Sequence, residues 1–463
     1  MKNKTMLTDL YQLTMNAAYH DNSKDEIATF DLFIRKLPAD WGYFIANGIE
    51  DAIDYATNIE FEHEDIEYLR SIGIFNEEYL DWLKTFKFDG EILAVKDGTP
   101  IFPNEPIMRV TAKRSQGQLL ESCLLNIVNF QTMVASKASR VVNSAKGASV
   151  VDFGLRRAQD ESASLTGARA CYIGGAVGTS NVKAAMEYGI RPVGTHAHSF
   201  VMSFSSELDA FKAYVKTFPD NATLLIDTYD TIRGAKNAAV VAKELEEKGK
   251  RLGSVRLDSG DLCDLSKKVR KILDDNNLDY VKILASNDLN EYKIADLVLH
   301  GAKIDGYGVG TEMITAKPTA AIPGVYKLCE DTDGAKIKLS DGKTTLPGKK
   351  QVYRLSDEDG YYIKDTIALE AELMYGQALL ESVVAEGKRV RPRPSVHDTR
   401  KFCLEEVARL PDNVRELRVS THYTVEVSPF LSYLSRELSF QYGKMQTEIP
   451  SIRPQLRQAQ AEV

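Results

Sequence analysis

The sequence predicts an α/β fold: an irregular parallel α/β barrel with an N-terminal α/β domain before it and a C-terminal extension after it. Three observations carry this. Short apolar segments alternate with amphipathic helices through the middle of the chain. The alternation recurs about every 30 residues, the size of one strand–helix unit. Several of the segments end in polar or glycine residues, as they do where a site is assembled from the C-terminal ends of many strands. Such alternation implies a parallel sheet with helices outside it.

The chain divides into three regions, 1–115, 116–325 and 326–463. In the first, Thr8 and Asp9 can cap a helix running to about Tyr19. Phe30, Leu32 and Ile34 alternate with Asp31 and Arg35, which predicts a strand. Helices are expected around 47–57, 62–72 and 76–86. Residues 90–112 read as strands broken at Gly98-Thr99-Pro100 and at Pro103-Asn104-Glu105-Pro106.

The second region opens with a long helix over roughly 116–144. The apolar segments follow: 150–154, 192–198, 224–227, 255–258, 283–286 and 304–308. Between them, Leu208, Phe211, Val215 and Phe218 mark one buried helix face over 206–218. Leu262, Leu265, Val269 and Ile272 mark another over 262–273. An open sheet also fits this alternation, but it would gather its site at one switch point, whereas here polar residues end several strands. The units number nearer six or seven than eight, so the barrel is expected to be irregular. The third region begins with short strands turning at Asp333-Gly334, Asp341-Gly342 and Asp359-Gly360. Helical character returns near 401–409, the polar end from Arg453 on is expected to fray, and part of this region is expected to pack back on the N-terminal domain.

Composition narrows the function. The 463 residues carry 58 basic and 66 acidic side chains, a net charge of -8, with 43% hydrophobic and 27% charged residues. That is a globular composition rather than a disordered one. A mildly acidic chain is poorly suited to bind nucleic acid by neutralising phosphates, so small anions must be captured by local basic residues. Cys123, Cys171, Cys263, Cys329 and Cys403 are scattered and contain no C-x-x-C, which argues against disulfides and a cysteine zinc site. Asp9, Gln12 and Asn16 interrupt any apolar leader, and no apolar run approaches a membrane span. A cytoplasmic protein without membrane association is expected.

Two nucleotide motifs fail. Gly342-Lys343-Thr344 resembles the end of a P-loop, but position 337 is Ile where glycine is needed. Gly306-x-Gly308 resembles a dinucleotide fingerprint, but Thr311 replaces its third glycine. His196 and His198, at i and i+2 on a strand, would point to one side and could begin a metal-hydrolase site with Asp227 and Asp258. The remaining histidines do not sit at these strand ends.

The strand ends together supply a richer set. Arg156, Arg157 and Arg256 are fixed cations, and His198 is a nucleophile. Asp227, Asp230, Asp258 and Asp261 are carboxylates suited to Mg²⁺ or a developing positive charge. Gly308-Val309-Gly310-Thr311 is a small turn able to meet a phosphate. Together they suit a phosphorylated substrate with magnesium. Taken singly, each has a plain alternative: a solvated surface arginine pair, a helix-capping Asp227 or Asp258, an ordinary glycine turn.

These residues are ones the chain shares with a known family. It resembles the nicotinate phosphoribosyltransferase family nearly end to end. The resemblance runs through Leu7-Thr8-Asp9-Leu10-Tyr11-Gln12-Leu13-Thr14-Met15, Phe153-Gly154-Leu155-Arg156-Arg157-Ala158, Gly194-Thr195-His196-Ala197-His198-Ser199-Phe200, Val255-Arg256-Leu257-Asp258-Ser259-Gly260-Asp261, Gly308-Val309-Gly310-Thr311 and Thr345-Leu346-Pro347-Gly348-Lys349. It implies a type II phosphoribosyltransferase-like barrel, usually in a homodimer whose sites lie near the subunit interface. The implied reaction joins nicotinate to phosphoribosyl diphosphate with hydrolysis of ATP, giving nicotinate mononucleotide for NAD biosynthesis.

By the same resemblance, His198 is the phosphorylated histidine, and His196 occupies a variable position. Arg256, Thr195 and Arg156 contact nicotinate, Arg156 being the better-matched member of its pair. Phe153 and Tyr11 are candidate stacking partners for the ring, Tyr11 being lent by the other subunit. Thr311, with Gly308 and Gly310, meets phosphoribosyl diphosphate. Asp258 is a candidate to stabilise the sugar cation, and Asp227 is the candidate Mg²⁺ ligand. The related nicotinamide-using enzyme carries Asp where this chain has Ser180, so Ser180 is expected to favour the acid over the amide. Three other readings stay open: a quinolinate-using phosphoribosyltransferase, the metal hydrolase on His196 and His198, and a catalytically inactive binding protein on the same fold.

Overall fold

The computed structural model describes residues 4–340, 345–419 and 421–448. The expected turn at Asp341-Gly342, the rejected Gly342-Lys343-Thr344 and the polar end from Arg453 lie outside the described residues.

The N-terminal helices form close to where their patterns place them, at Leu10–Asp21, Ile49–Thr57, His63–Ile72 and Glu77–Leu83. Asn76 caps the last of these by accepting from Tyr79 N–H at 2.8 Å. Asp9 does not cap the first. Its carboxylate accepts from Ser122 Oγ at 2.6 Å instead, tying that helix to the start of the long one. The strand Ile27–Ile34 departs from the expected alternation, because nearly all of it is buried. It pairs on both edges, with Gly324–Asp331 and with Pro106–Lys113. Its Asp31 is enclosed on the face where Lys350 lies, and Lys350 Nζ pairs with it at 2.7 Å.

That pairing is antiparallel and non-local. Seven strands run in the order Gly334–Ala335, Gly324–Asp331, Ile27–Ile34, Pro106–Lys113, Glu91–Ala94, Glu381–Ala385 and Lys388–Arg389. The chain thus leaves this sheet at 113 and returns to it at 324. A second sheet joins Gln377–Ala378, Lys350–Ser356, Tyr362–Leu369 and Thr424–Val427.

The helix expected over 116–144 forms as two, Arg114–Leu119 and Glu121–Ser144. The longer one connects the two cores. Cys123, Leu124, Ile127 and Val128 pack with the N-terminal residues, while Val134, Ala135, Ala138 and Val141 pack with the central ones. One helix is therefore committed to both hydrophobic clusters, which fixes their relative placement.

The central unit is a parallel sheet in the order Ser149–Asp152, Gly306–Val309, Lys282–Ala285, Ser254–Leu257 and Thr223–Leu225. Two isolated parallel bridges extend it, Asp152 to Thr179 and Thr179 to Pro192. The segment 192–198 is not a regular strand: Pro192 has no N–H to give to a ladder, and a helix begins at His198. Among the described residues no ladder closes the sheet into a barrel. Its two ends meet through a side chain, where Leu225 N–H donates to His196 Nε2 at 3.2 Å.

The helices between strands start on side-chain caps. Asp160, Asn181, Ser206, Asp230, Asp261 and Asn290 each accept a backbone N–H of the first turn. Asp230 and Asp261 are thereby occupied as caps, three residues beyond Asp227 and Asp258, which are not. Among the described residues no helix is long and apolar enough to cross a membrane.

Candidate active site

The strand ends bring Arg256, Thr195, Asp258 and Asp227 into one hydrogen-bonded cluster, with Phe153 and His198 beside it, centred on Arg256 near the end of the strand Ser254–Leu257. Its Nε donates to Ser286 Oγ at 2.8 Å, one terminal nitrogen to Thr195 Oγ1 at 3.2 Å, and the other to Asp258 Oδ1 at 3.0 Å. The guanidinium lies over the ring of Phe153, 5.5 Å from its centroid, which is cation–π geometry. A guanidinium held between an aromatic face and fixed oxygens is suited to a planar anionic ring compound.

Asp258 has a second neighbour. Its Oδ2 lies 3.8 Å from His198 Nε2. The other ring nitrogen of His198, Nδ1, is 3.1 Å from Thr228 Oγ1. His198 is the first residue of the helix His198–Met202 and is partly exposed, so its ring stands at the mouth of the site. Asp227 sits one strand over. Its Oδ2 accepts from Asp258 N–H at 2.9 Å and from Ser259 Oγ at 2.6 Å. Its Oδ1 is buried and takes no hydrogen-bond partner among the described residues.

Phe153 is held from behind. Asp152 accepts Gly154 N–H on Oδ1 at 2.8 Å and Thr179 Oγ1 on Oδ2 at 2.7 Å. Burial raises the pKa of this carboxyl. The carbonyl of Asp152 accepts Ser180 N–H at 2.8 Å, so the same residue anchors both Phe153 and Ser180. Gly308 faces the Phe153 ring, and a Cβ there would lie inside normal contact with it. Packing against the ring thus requires the glycine at 308. Gly310 precedes the short helix Thr311–Ile314, against which the turn Leu155–Arg157 packs. Thr311 is half-buried, and Arg156 and Arg157 are exposed on that turn.

The paired-histidine reading is corrected by this geometry. Because 196–198 is not a strand, the two rings diverge. His196 is buried beside Phe200, Phe211 and Tyr214 and accepts the Leu225 N–H. Burial lowers its pKa to about 4. Among the described residues no group of three or more His, Cys, Asp and Glu side chains is arranged to hold a metal. Asp230 and Asp261, grouped with the site carboxylates by sequence, serve as caps. Tyr11 does not join the cluster within this chain. It is exposed on the helix Leu10–Asp21, near Glu121.

Sequence reasoning missed Ser286, Thr228, Thr179 and Asp152. The signal for Ser286 was available, since it is the polar residue ending the segment 283–286. The others act only through tertiary neighbours. Cavities of about 890 Å³, beside Phe33 and Pro103, and of about 950 Å³, around Arg169 and Arg393, lie elsewhere; neither is lined by Arg256, Asp258 or His198.

Comparison with known proteins identifies the family. Residues 6–129 match the nicotinate phosphoribosyltransferase (NAPRTase) N-terminal domain, 148–327 the NAPRTase family and 374–435 the NAPRTase C-terminal domain. Nicotinate phosphoribosyltransferase pncB2 of Mycobacterium tuberculosis is 41% identical over 427 residues, covering 91% of each chain. The nicotinate phosphoribosyltransferase of Bacillus subtilis is 38% identical over 453 residues, covering 91% of this chain and 92% of its own. The crystal structure of human nicotinic acid phosphoribosyltransferase superposes with a TM-score of 0.82 at 27% identity, covering 93% of this chain and 99% of that one. With its three regions matched in order, the chain belongs to the nicotinate phosphoribosyltransferase family.

Proposed function

We propose that the protein converts nicotinate, phosphoribosyl diphosphate, ATP and water to nicotinate mononucleotide, diphosphate, ADP and phosphate, in the cytoplasm, as a step in NAD biosynthesis. The observation that carries this is Arg256 seated over Phe153 and flanked by Thr195 and Asp258. The guanidinium takes the nicotinate carboxylate, and Phe153 takes one face of the ring. Ser180 leaves that carboxylate unrepelled, whereas an aspartate there would repel it.

Bound this way, the pyridine nitrogen is free to attack C1 of the ribose as diphosphate leaves. Its lone pair needs no base, so catalysis falls to charge stabilisation. The transition state has oxocarbenium character, and the Asp258 carboxylate opposes the developing positive charge. Thr311, with Gly308 and Gly310, receives the phosphoribosyl diphosphate, and Arg156 stands with Arg256 and Thr195 as a nicotinate contact. The unpartnered Asp227 Oδ1 fits Mg²⁺, which commonly takes one or two protein carboxylates and completes its shell with phosphate and water. When bound, Mg²⁺ supplies charge to the diphosphate.

His198 is the phosphoryl acceptor from ATP. A ring nitrogen bonds to the γ-phosphorus as ADP leaves, and water later releases phosphate. Its partly exposed position beside Asp258 supports this role. Tyr11 is exposed on the helix Leu10–Asp21 and stands apart from the cluster of its own chain, which supports a homodimer in which Tyr11 of the partner subunit covers the nicotinate ring.

The test offers the purified protein nicotinate, nicotinamide and quinolinate in turn, each with phosphoribosyl diphosphate and Mg²⁺, with and without ATP. Nicotinate should be consumed fastest, with ATP hydrolysed alongside. Equal turnover of nicotinamide overturns the role of Ser180, and preferential turnover of quinolinate overturns the whole reading. His198→Ala should separate product formation from ATP hydrolysis; coupling at the wild-type level in that variant would refute the acceptor role.

A further inference from the structure

Arg256 has five N–H donors. Among the described residues three of them are engaged, with Ser286, Thr195 and Asp258, which leaves one N–H on each terminal nitrogen for a substrate carboxylate. The arrangement has a hazard, because Asp258 is itself a carboxylate on the same guanidinium. Two-point Arg–carboxylate pairing is the strong form of this contact, and Asp258 would gain it by bringing its second oxygen to Nε. It would then compete directly with nicotinate.

Ser286 stands in the way of that pairing. Its Oγ accepts from Arg256 Nε at 2.8 Å and donates to Asp258 Oδ1. It is 4% exposed, and its own N–H is fixed to Leu257 O at 2.9 Å. A buried hydroxyl on a fixed backbone therefore occupies the guanidinium edge that Asp258 would need and takes up part of the Asp258 charge. Asp258 is held with its other oxygen toward His198. We propose that Ser286 is a positioning residue for acid selectivity, keeping Asp258 in one-point contact with Arg256 so that the guanidinium stays open to the substrate carboxylate. This rests on the reading of Arg256 as the nicotinate receptor.

The test compares the full-length wild type with Ser286→Ala and Ser286→Thr in steady-state kinetics on nicotinate, at saturating phosphoribosyl diphosphate, Mg²⁺ and ATP. Melting temperatures are recorded for all three. Alanine should raise KM for nicotinate about tenfold, the scale of one hydrogen bond to a charged group, with a smaller change in kcat. Threonine keeps the hydroxyl and should stay near wild type. If alanine fails to fold, Ser286→Cys, close in shape and a weaker donor, carries the same comparison. An unchanged KM in the folded alanine or cysteine variant overturns the proposal, as does a loss confined to kcat. A wild type that does not use nicotinate overturns the proposed function instead and is detected before any variant is measured.

Discussion

The backbone N–H of Asp258 donates to Oδ2 of Asp227 at 2.9 Å. The loop after one strand is thus fastened to the carboxylate ending its neighbour, while the other oxygen of that carboxylate is buried with no hydrogen-bond partner among the described residues. One side chain holds the loop with one oxygen and leaves the second uncommitted there.

Asp227→Asn separates these two roles. The amide oxygen still accepts from Asp258 N–H and Ser259 Oγ, so the melting temperature should hold. The charge is lost, so the Mg²⁺ concentration for half-maximal activity should rise several-fold. A magnesium titration of activity measures this, and an unaltered midpoint would remove Asp227 as the ligand.

Gly308→Ala places a methyl group against the Phe153 ring. Either the ring or the strand Gly306–Val309 must move, and overpacking of this kind costs about 2 kcal/mol. Because Phe153 lies under Arg256, KM for nicotinate should rise together with the loss of stability. Thermal melting and nicotinate kinetics on the same preparation check both.

His196 contributes an acid limb to stability. Its pKa is lowered by burial to about 4 in the folded protein, below the ~6.5 of a free histidine. Between those values the unfolded chain binds the extra proton. Stability is therefore fully present above pH ~6.5 and falls as pH drops toward 4, by at most about 1.4 kcal/mol per pH unit. His196→Gln can still accept the Leu225 N–H but does not titrate. Denaturant melts across this window should show a flatter slope in the variant.

Glu105 has the opposite sign. Burial, and then the neighbouring Asp365 carboxylate, raise its pKa well above the usual carboxyl value. Asp365 is itself paired with Arg354 at 2.6 Å. The stabilising contribution of the protonated form is present below the unfolded carboxyl pKa and is lost as pH rises toward the folded one. Glu105→Gln keeps an acceptor for Phe102 N–H, which Glu105 now takes at 2.9 Å, and cannot ionise. Its melting temperature relative to wild type should be higher at pH 8 than at pH 5.

Much of this was legible in one dimension. The helix Leu262–Asp275 follows its i, i+3, i+4 pattern, and the strand Ser254–Leu257 ends where its apolar run meets Asp258. His198, Arg256 and Asp258 could be chosen because polar residues at successive strand ends of a parallel sheet lie together, whereas Thr195 and Phe153 were legible only through the family resemblance. The pattern misled where neighbours override local preference. Asp31 alternates like a solvent-facing residue yet is buried, because Lys350 of the second sheet packs on its side of the strand and pairs with it. His196 and His198 alternate like strand partners, but Pro192 weakens the ladder and a helix claims His198.

By itself the sequence determined the α/β class, the order of units, the family and most of the residues around the guanidinium, since periodicity and motif are local properties of the chain. Only the tertiary structure decided which aspartates are caps and which face the site, because Asp227 and Asp230 differ in the partners they meet rather than in type. It also decided that Ser286 stands between Arg256 and Asp258, and that the two sheet ends meet through His196 rather than through a ladder. Hydrogen bonds across 28 to 61 residues of chain hold these contacts, and no local pattern encodes which distant partner a polar group will meet.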